Sequence, residues 1–375
     1  MDSTPITIER IELRHVRMPF VRPFETAGGR EDDKDCILVR AWAAGISGWG
    51  ESPVSMTPFY MEETVETAWP IMTRFLAPRI LGRSFTHPDE VAAWVRPVRR
   101  HQFAKSGLEA AAWDLYARSR GVSLARALGG TRTRIAVGVS VGIEQDIDAT
   151  LCRIEAWLGD GYRRIKTKIK PGWDVELVAA IRERFGSIPL QVDANATYTL
   201  RDASVLRALD AYALEMIEQP LEADDLVDHA ALQRALRTPL CLDESIGSAG
   251  DARKALDLGA CRIINVKAAR MGGLGEAQRC HALCRDRGVP VWCGGMLETG
   301  IGRAASIALA SLPGFTLPAD LSASRRYFHE DLIDPEIEVA PDGTVAVPPG
   351  PGLGVAVREP AVERYTVRTE TLRAG

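Results

Sequence analysis

Five charged residues recur through the middle of the chain at nearly equal spacing. They are Lys168 in TKI, Asp193 in VDAN, Glu218 in IEQP, Asp243 in LDES and Lys267 in NVKA. The successive intervals are 25, 25, 25 and 24 residues, the length of one strand–helix unit. Each residue sits at the end of a short apolar run. One charged residue there is commonplace and solvated, but five at matched places point to a shared site. Three carboxylates side by side repel unless a cation neutralises them. An all-oxygen donor set suits a hard ion, Mg²⁺ first and Mn²⁺ second. Neither Cys nor His occupies the three positions, which disfavours zinc. The flanking lysines suit proton transfer, provided one of them loses its proton. Neighbouring cations push in that direction, and Lys166 beside Lys168 and Arg270 one turn beyond Lys267 are placed to supply that push. Removing the proton α to a carboxylate makes a dianionic enediolate, which a divalent ion and a cationic lysine stabilise as charge develops.

The elements that must carry these residues alternate short apolar strands with longer helical stretches. The strands read RIAVGVSVG, RRIKTKIK, PLQVDAN, LEMIEQP, PLCLDES, RIINVKAA, VPVWCGG and FTLPADL. Strands that are apolar throughout, each followed by a helix, form a parallel sheet covered on both faces. Eight of them imply an α/β fold, a (β/α)8 TIM-type barrel over residues 131–325, whose C-terminal rim carries the active site. In RIKTKIK, Lys166, Lys168 and Lys170 share one strand face and Ile165, Thr167 and Ile169 the other. Lys170 lies past the strand end, before Pro171-Gly172, and is expected to be solvated. Residues 1–130 read as strands followed by helices, an α+β unit. Its stretch VRPFETAGGREDDKD is polar and glycine-containing and reads as a mobile loop. Residues 326–375 are rich in Pro and Gly and are expected to pack back on the first section.

Composition narrows the function classes. The chain is 46% apolar and 26% charged, with 46 basic and 50 acidic residues, a balance of -4. No basic block suggests a nucleic-acid surface. No apolar run reaches the length of about 18 residues that marks a membrane span. The N-terminus lacks the apolar stretch of a secretory signal. Seven cysteines without a Cys-x-x-Cys pair read as reduced core residues of a cytoplasmic protein. Cys280, His281 and Cys284 suit core packing on one helix face better than a metal. Gly272-Gly273 reads as a tight turn, with anion binding at the following helix N-terminus as the alternative. The Asn195–Thr197 sequon and GPGLGV carry no function, and none of the six histidines falls at a strand end.

The stretches KTKIKPGWD, QVDAN, IEQPL, CLDESI, VWCGGMLETGIGRAA and TLPADLSAS, with AKSGLEAAAWD and GVSVGI, together resemble the enolase superfamily in its muconate-lactonizing subgroup. Within it, they resemble the o-succinylbenzoate synthases that also act as N-acylamino acid (N-succinylamino acid) racemases. Enolase-superfamily sites are known for a Lys or His base beside Mg²⁺. The resemblance implies an N-terminal α+β capping domain over a modified barrel. It implies Asp193, Glu218 and Asp243 as Mg²⁺ ligands, with Lys168 and Lys267 as acid/base groups on opposite faces of the substrate. Lys166 would bind the substrate carboxylate or stabilise its enolate. Asn195 would support the metal shell, and Glu244 would pair with a lysine. Ser140, Gly295, Met296 and Leu297 match positions against the substrate's acyl group, and Phe24 matches the loop that closes over the site. A small carboxylate substrate and a homo-oligomer are also implied. Three departures stand out. Ala268 replaces the usual Pro after the second lysine. Arg325 stands where Asp is frequent, either at the barrel mouth or as a surface change. Asp320-Leu321-Ser322 lacks the Asp-x-Asp of dipeptide epimerases. A muconate-type cycloisomerase or another epimerase uses the same frame, and a Schiff-base lysine aldolase is the remote alternative.

Overall fold

The computed structural model describes residues 4–375. An antiparallel sheet runs in the order Thr366–Arg373, Arg10–Thr26, Gly29–Ala43, Ile46–Ser52. Along Arg10–Thr26 the buried positions alternate but change parity at His15-Val16. Ile11 and Leu13 face one core, and Val16, Met18 and Phe20 face the other, so the two halves of the strand bury opposite faces. Helix Gln102–Ser119 lies across this sheet, with 13 of its 18 residues buried. The contact is close because glycines leave room for it. A Cβ on Gly48 would sit 2.5 Å from the Ala111 carbonyl oxygen, and one on Gly50 would meet the Gly107 carbonyl. Any side chain there would push the helix off the sheet.

The stretch expected as a mobile loop is instead the arm of a β-hairpin. Phe24 pairs with Glu31, Glu25 with Arg30 and Thr26 with Gly29, around a turn at Ala27-Gly28. Thr26 Oγ1 accepts the Gly28 N–H at 3.2 Å. The register shifts between Pro19 and Phe24, where the strands leave the core. The arm is ordered by its own ladder of backbone bonds and by bonds to the rest of the chain, from Val21 N–H to the Tyr327 carbonyl at 2.8 Å and from Ile143 N–H to the Glu25 carbonyl at 2.9 Å.

Seven parallel strands follow one another in chain order in a single sheet: Val139–Val141, Ile165–Lys168, Leu190–Asp193, Ile217–Glu218, Leu240–Leu242, Ile263–Val266 and Val291–Cys293. The expected eighth strand closes the ring without becoming regular. Asp320 N–H donates to the Cys293 carbonyl at 2.9 Å on one side. On the other, Ala319 N–H donates to Ala136 at 2.9 Å, and its carbonyl accepts from Gly138 at 2.8 Å. Pro318 lies in this segment and has no N–H to give to a ladder. The expected first strand divides at Val137-Gly138: Arg134–Ala136 pairs antiparallel with Thr344–Ala346, and Val139–Val141 enters the barrel. Among the described residues, no helix is long and apolar enough to cross a membrane.

Buried glutamates fasten the helix starts. Glu63 accepts from Phe103 N–H at 2.8 Å and Ala104 N–H at 3.0 Å, at the start of Gln102–Ser119. Glu109, on that helix, accepts from Leu274 and Gly275 N–H at 2.8 and 2.9 Å. Glu51 accepts from Thr299 and Gly302 N–H at 3.2 and 3.0 Å. The last two reach from the N-terminal unit to barrel helices Leu274–Asp286 and Gly300–Ala310. Each satisfies N–H groups that have no partner within their own helix and places a carboxylate at the positive end of the helix dipole. The anion at the Gly272-Gly273 turn is therefore the protein's own.

Burial pushes Glu51, Glu63 and Glu109 up to about 7, against the backbone N–H bonds that favour ionisation. A carboxyl raised in the folded state holds its proton more tightly there than in the unfolded chain. Its stabilising contribution is full below the ordinary carboxyl range and is lost as pH rises through about 7. The Glu109→Gln variant should therefore lose less melting temperature than the wild type between about pH 5 and about pH 8. Equal slopes in scanning calorimetry would reject this titration.

Candidate active site

Strand register explains the regular spacing. Lys168 lies opposite Asp193, Asp193 opposite Glu218, and Glu218 opposite Cys241 on successive parallel strands. Asp243 is two residues beyond Cys241 and so faces the same way. Lys267 directly follows the strand Ile263–Val266. All five side chains are buried. Inside the barrel, the Arg164 and Lys166 cations lie 5.4 and 5.0 Å from the Trp292 ring centroid, so the alternation in RIKTKIK turns its basic face inward.

Each carboxylate of the trio is matched to cations. Lys166 Nζ is 2.9 Å from Asp193 Oδ2 and 2.8 Å from Glu218 Oε2. The Glu218 contact is an ion pair without hydrogen-bond alignment, so Oε2 has no hydrogen-bond donor. Asn265 Nδ2 donates to Glu218 Oε1 at 2.8 Å. Lys168 Nζ donates to Asp193 Oδ2 at 2.6 Å and to Asn195 Oδ1 at 2.7 Å. Lys267 Nζ donates to Asp243 Oδ2 at 2.8 Å and to Tyr60 Oη at 2.9 Å. Tyr60 in turn donates to Asp243 at 3.1 Å. Arg270 grips Asp243 Oδ1 and also donates to the Ile246 and Asn265 carbonyls at 2.9 and 2.6 Å.

These contacts divide the lysines electrically. Burial pulls Lys168 below the ordinary lysine value, and Lys166 adds to that against the opposing charge of Asp193. Burial also opposes the ammonium of Lys166, but Asp193, Glu218 and Asp320 outweigh it and raise the group. Lys267 is likewise raised despite burial, by Tyr60, Glu218 and Glu244. Asp193 falls well below the carboxylate range, because Lys166 and Lys168 overcome its burial.

Ser140, Asn195, Glu244, Gly295, Met296, Leu297 and Phe24 line one cavity together with Lys166, Lys168 and Lys267. Asp193, Glu218, Asp243 and Arg270 do not line it, and their ion pairs place them against the lysines. Two expected pairings differ in the structure. Glu244 takes Asn195 Nδ2 at 2.9 Å rather than a lysine, and its Oε2 is buried without a partner. Arg270 is committed to Asp243 rather than set against Lys267. Arg325 points outward, its side chain 63% exposed and 3.5 Å from Asp160. The next residue, Arg326, turns inward and donates to the Ser140 carbonyl at 2.5 Å, with its guanidinium 5.6 Å from the Phe24 ring centroid. Cys280, His281 and Cys284 are buried in the core.

Sequence reasoning missed Tyr60, Lys34 and Asp320 on the cavity wall. Asp320 accepts from Ser140 Oγ at 2.7 Å and lies 3.7 Å from Lys166 Nζ. It was discoverable, because it ends the eighth apolar run as the other five end theirs. Tyr60 and Lys34 carry no periodic signal.

The residues can be tested against a divalent ion. Among the described residues, no three acidic, histidine or cysteine side chains converge on a single point, and Lys166 stands between Asp193 and Glu218. The donor chemistry still fits a hard ion: three carboxylates at adjacent strand ends, all oxygen, with Glu218 Oε2 lacking a donor.

Residues 151–361 match the family described as enolase C-terminal domain-like, and residues 9–129 match the mandelate racemase / muconate lactonizing enzyme N-terminal domain. A solved structure of an enolase-superfamily member from Listeria innocua superposes with a TM-score of 0.95 at 38% identity, covering 99% of this chain and 100% of that one. The chain belongs to the enolase superfamily, as a mandelate racemase/muconate lactonizing enzyme-type protein. More narrowly, it is 53% identical to an o-succinylbenzoate synthase of Geobacillus kaustophilus over 96% of both chains. It is 47% identical to an N-succinylamino acid racemase of Thermus thermophilus, over 96% of this chain and 97% of the relative.

Removing one partner of a buried ion pair leaves a charge without compensation, at a cost of about 3–5 kcal/mol. Arg270→Leu should sit near the lower end, about 3 kcal/mol, because Lys267 and Tyr60 still contact Asp243. Urea unfolding measures this, and a loss under about 1 kcal/mol would show that Arg270 does not hold Asp243.

Proposed function

We propose that this protein removes the proton α to the carboxylate of a small substrate and stabilises the resulting enediolate, with Mg²⁺ as cofactor and Mn²⁺ as a substitute. Two outcomes share this step. Loss of a hydroxyl gives o-succinylbenzoate synthase activity, and return of a proton to the opposite face gives N-succinylamino acid racemase activity. The observation that carries the reading is the pair of buried lysines, Lys168 and Lys267, on the second and sixth barrel strands of one cavity. Three strands separate them in the sheet, so they approach a bound molecule from different sides.

Asp193, Glu218 and Asp243 would hold the ion. When bound, it supplies positive charge opposite the substrate oxygens that become negative. Lys168 takes or gives the proton on one face and Lys267 on the other. Racemisation uses both, whereas dehydration needs one base, with the other lysine standing as a cation. Lys166, held between Asp193, Glu218 and Asp320, keeps a positive charge beside the carboxylate end of the substrate. Ser140, Gly295, Met296, Leu297 and Phe24 would receive the acyl group. The seven unpaired cysteines support a cytoplasmic location.

The test follows α-deuteration of N-succinyl-L-phenylalanine and its D enantiomer in D₂O, beside dehydration of the cyclohexadiene precursor of o-succinylbenzoate. EDTA should abolish both activities and Mg²⁺ should restore them. Lys168→Ala and Lys267→Ala should each lose exchange from a different enantiomer. If the wild type with Mg²⁺ shows neither α-deuteration nor dehydration, the reading is wrong.

A further inference from the structure

Lys34 is a buried cation that the chemistry above leaves without a task. It lies on strand Gly29–Ala43 of the N-terminal sheet, is 4% exposed and lines the cavity. Its Nζ donates to the Pro53 carbonyl at 3.1 Å and to the Met296 carbonyl at 3.2 Å. An ammonium has three donors, and among the described residues the third has no acceptor and no ion-pair partner. A buried donor without an acceptor is costly.

The other charges on this wall are already committed. Glu31 accepts from Ser55, and Glu63 caps the helix at Phe103. Arg30 has a side chain 58% exposed and pairs with Asp32. Glu51, the carboxylate that feels Lys34's charge, gives its oxygens to Thr299 and Gly302. Lys166, Lys168 and Lys267 belong to the barrel wall, while Lys34 belongs to the capping wall and touches the Met296 loop. The cavity thus has buried cations on two walls, with the reacting centre at only one of them.

We infer that Lys34 binds a second carboxylate of the substrate, the one at the far end of the acyl group, and so selects succinyl-type acyl groups over neutral ones. This rests on the α-proton chemistry proposed above and names the part of the substrate that chemistry does not touch. The alternative is that Lys34 only ties Pro53 to Met296.

The test uses the full-length protein with Mg²⁺ and compares α-deuteration of N-succinyl-L-phenylalanine with that of N-acetyl-L-phenylalanine. Lys34→Met keeps an unbranched stem one atom shorter and removes the charge. It should raise KM for the succinyl substrate by about tenfold or more and leave kcat and the acetyl substrate within about twofold. Lys34→Arg should recover most of the succinyl preference. Parallel losses on both substrates, or no change on either, would overturn the inference while leaving the α-proton chemistry standing. Exchange of neither substrate by the wild type would overturn this inference, and the α-proton chemistry falls with it only if the cyclohexadiene precursor is not dehydrated either.

Discussion

Placing several like charges side by side out of water is the constraint around which this molecule is arranged. Asp193, Glu218 and Asp243 stand on neighbouring strands with their side chains on one face, and none is exposed enough for water to screen it. The structure answers with opposite charges at hydrogen-bonding distance: Lys166 and Lys168 on Asp193, Lys166 on Glu218, and Lys267 and Arg270 on Asp243. The arrangement works only in register. A slip of one residue on any of these strands would turn its charge toward the surrounding helices.

The charge cluster needs a floor and a roof that do not shift relative to each other. Glu51 and Glu109 supply this by reaching from the N-terminal unit to the first turns of two barrel helices. Those helices follow the strands that end at Val266 and Cys293, so the clamp holds the side of the barrel that carries Lys267 and the Met296 loop. Gly48 and Gly50 let the helix bearing Glu109 sit close to its sheet. Tyr60 completes the connection as a capping residue whose hydroxyl joins Lys267 and Asp243.

Much of this was legible before any coordinates, for a physical reason. A barrel repeats one unit, so residues at equivalent strand ends recur at one spacing, and the five charged positions could be read from it. The lysine alternation in RIKTKIK was legible because strand geometry leaves two faces to choose from. The extended arm at residues 21–31 was not, because its polar composition looks the same whether the chain is disordered or paired with itself. The eighth strand was over-read, since an apolar run says nothing of the N–H that Pro318 lacks. The orientations of Arg325 and Arg326 were hidden because adjacent residues in a short helical turn differ only in which way the turn faces. Tyr60 and Lys34 reach the site through tertiary packing, which leaves no period in the chain.

The hairpin arm carrying Phe24 has a consequence for how such proteins diversify. Its two strands pair with each other beyond the register shift at Pro19, while bonds from Val21 N–H to Tyr327 and from Ile143 N–H to Glu25 tie it to the rest of the chain, so a change in its length must keep those contacts. A ladder of paired strands also tolerates change only in steps. Adding one residue to each strand would turn Phe24 and Thr26 from the cavity to the outside, whereas adding two would return them to the same side and lengthen the wall. Inherited variation in this arm should therefore be quantised in paired dipeptides, with the intervening sizes lost to selection.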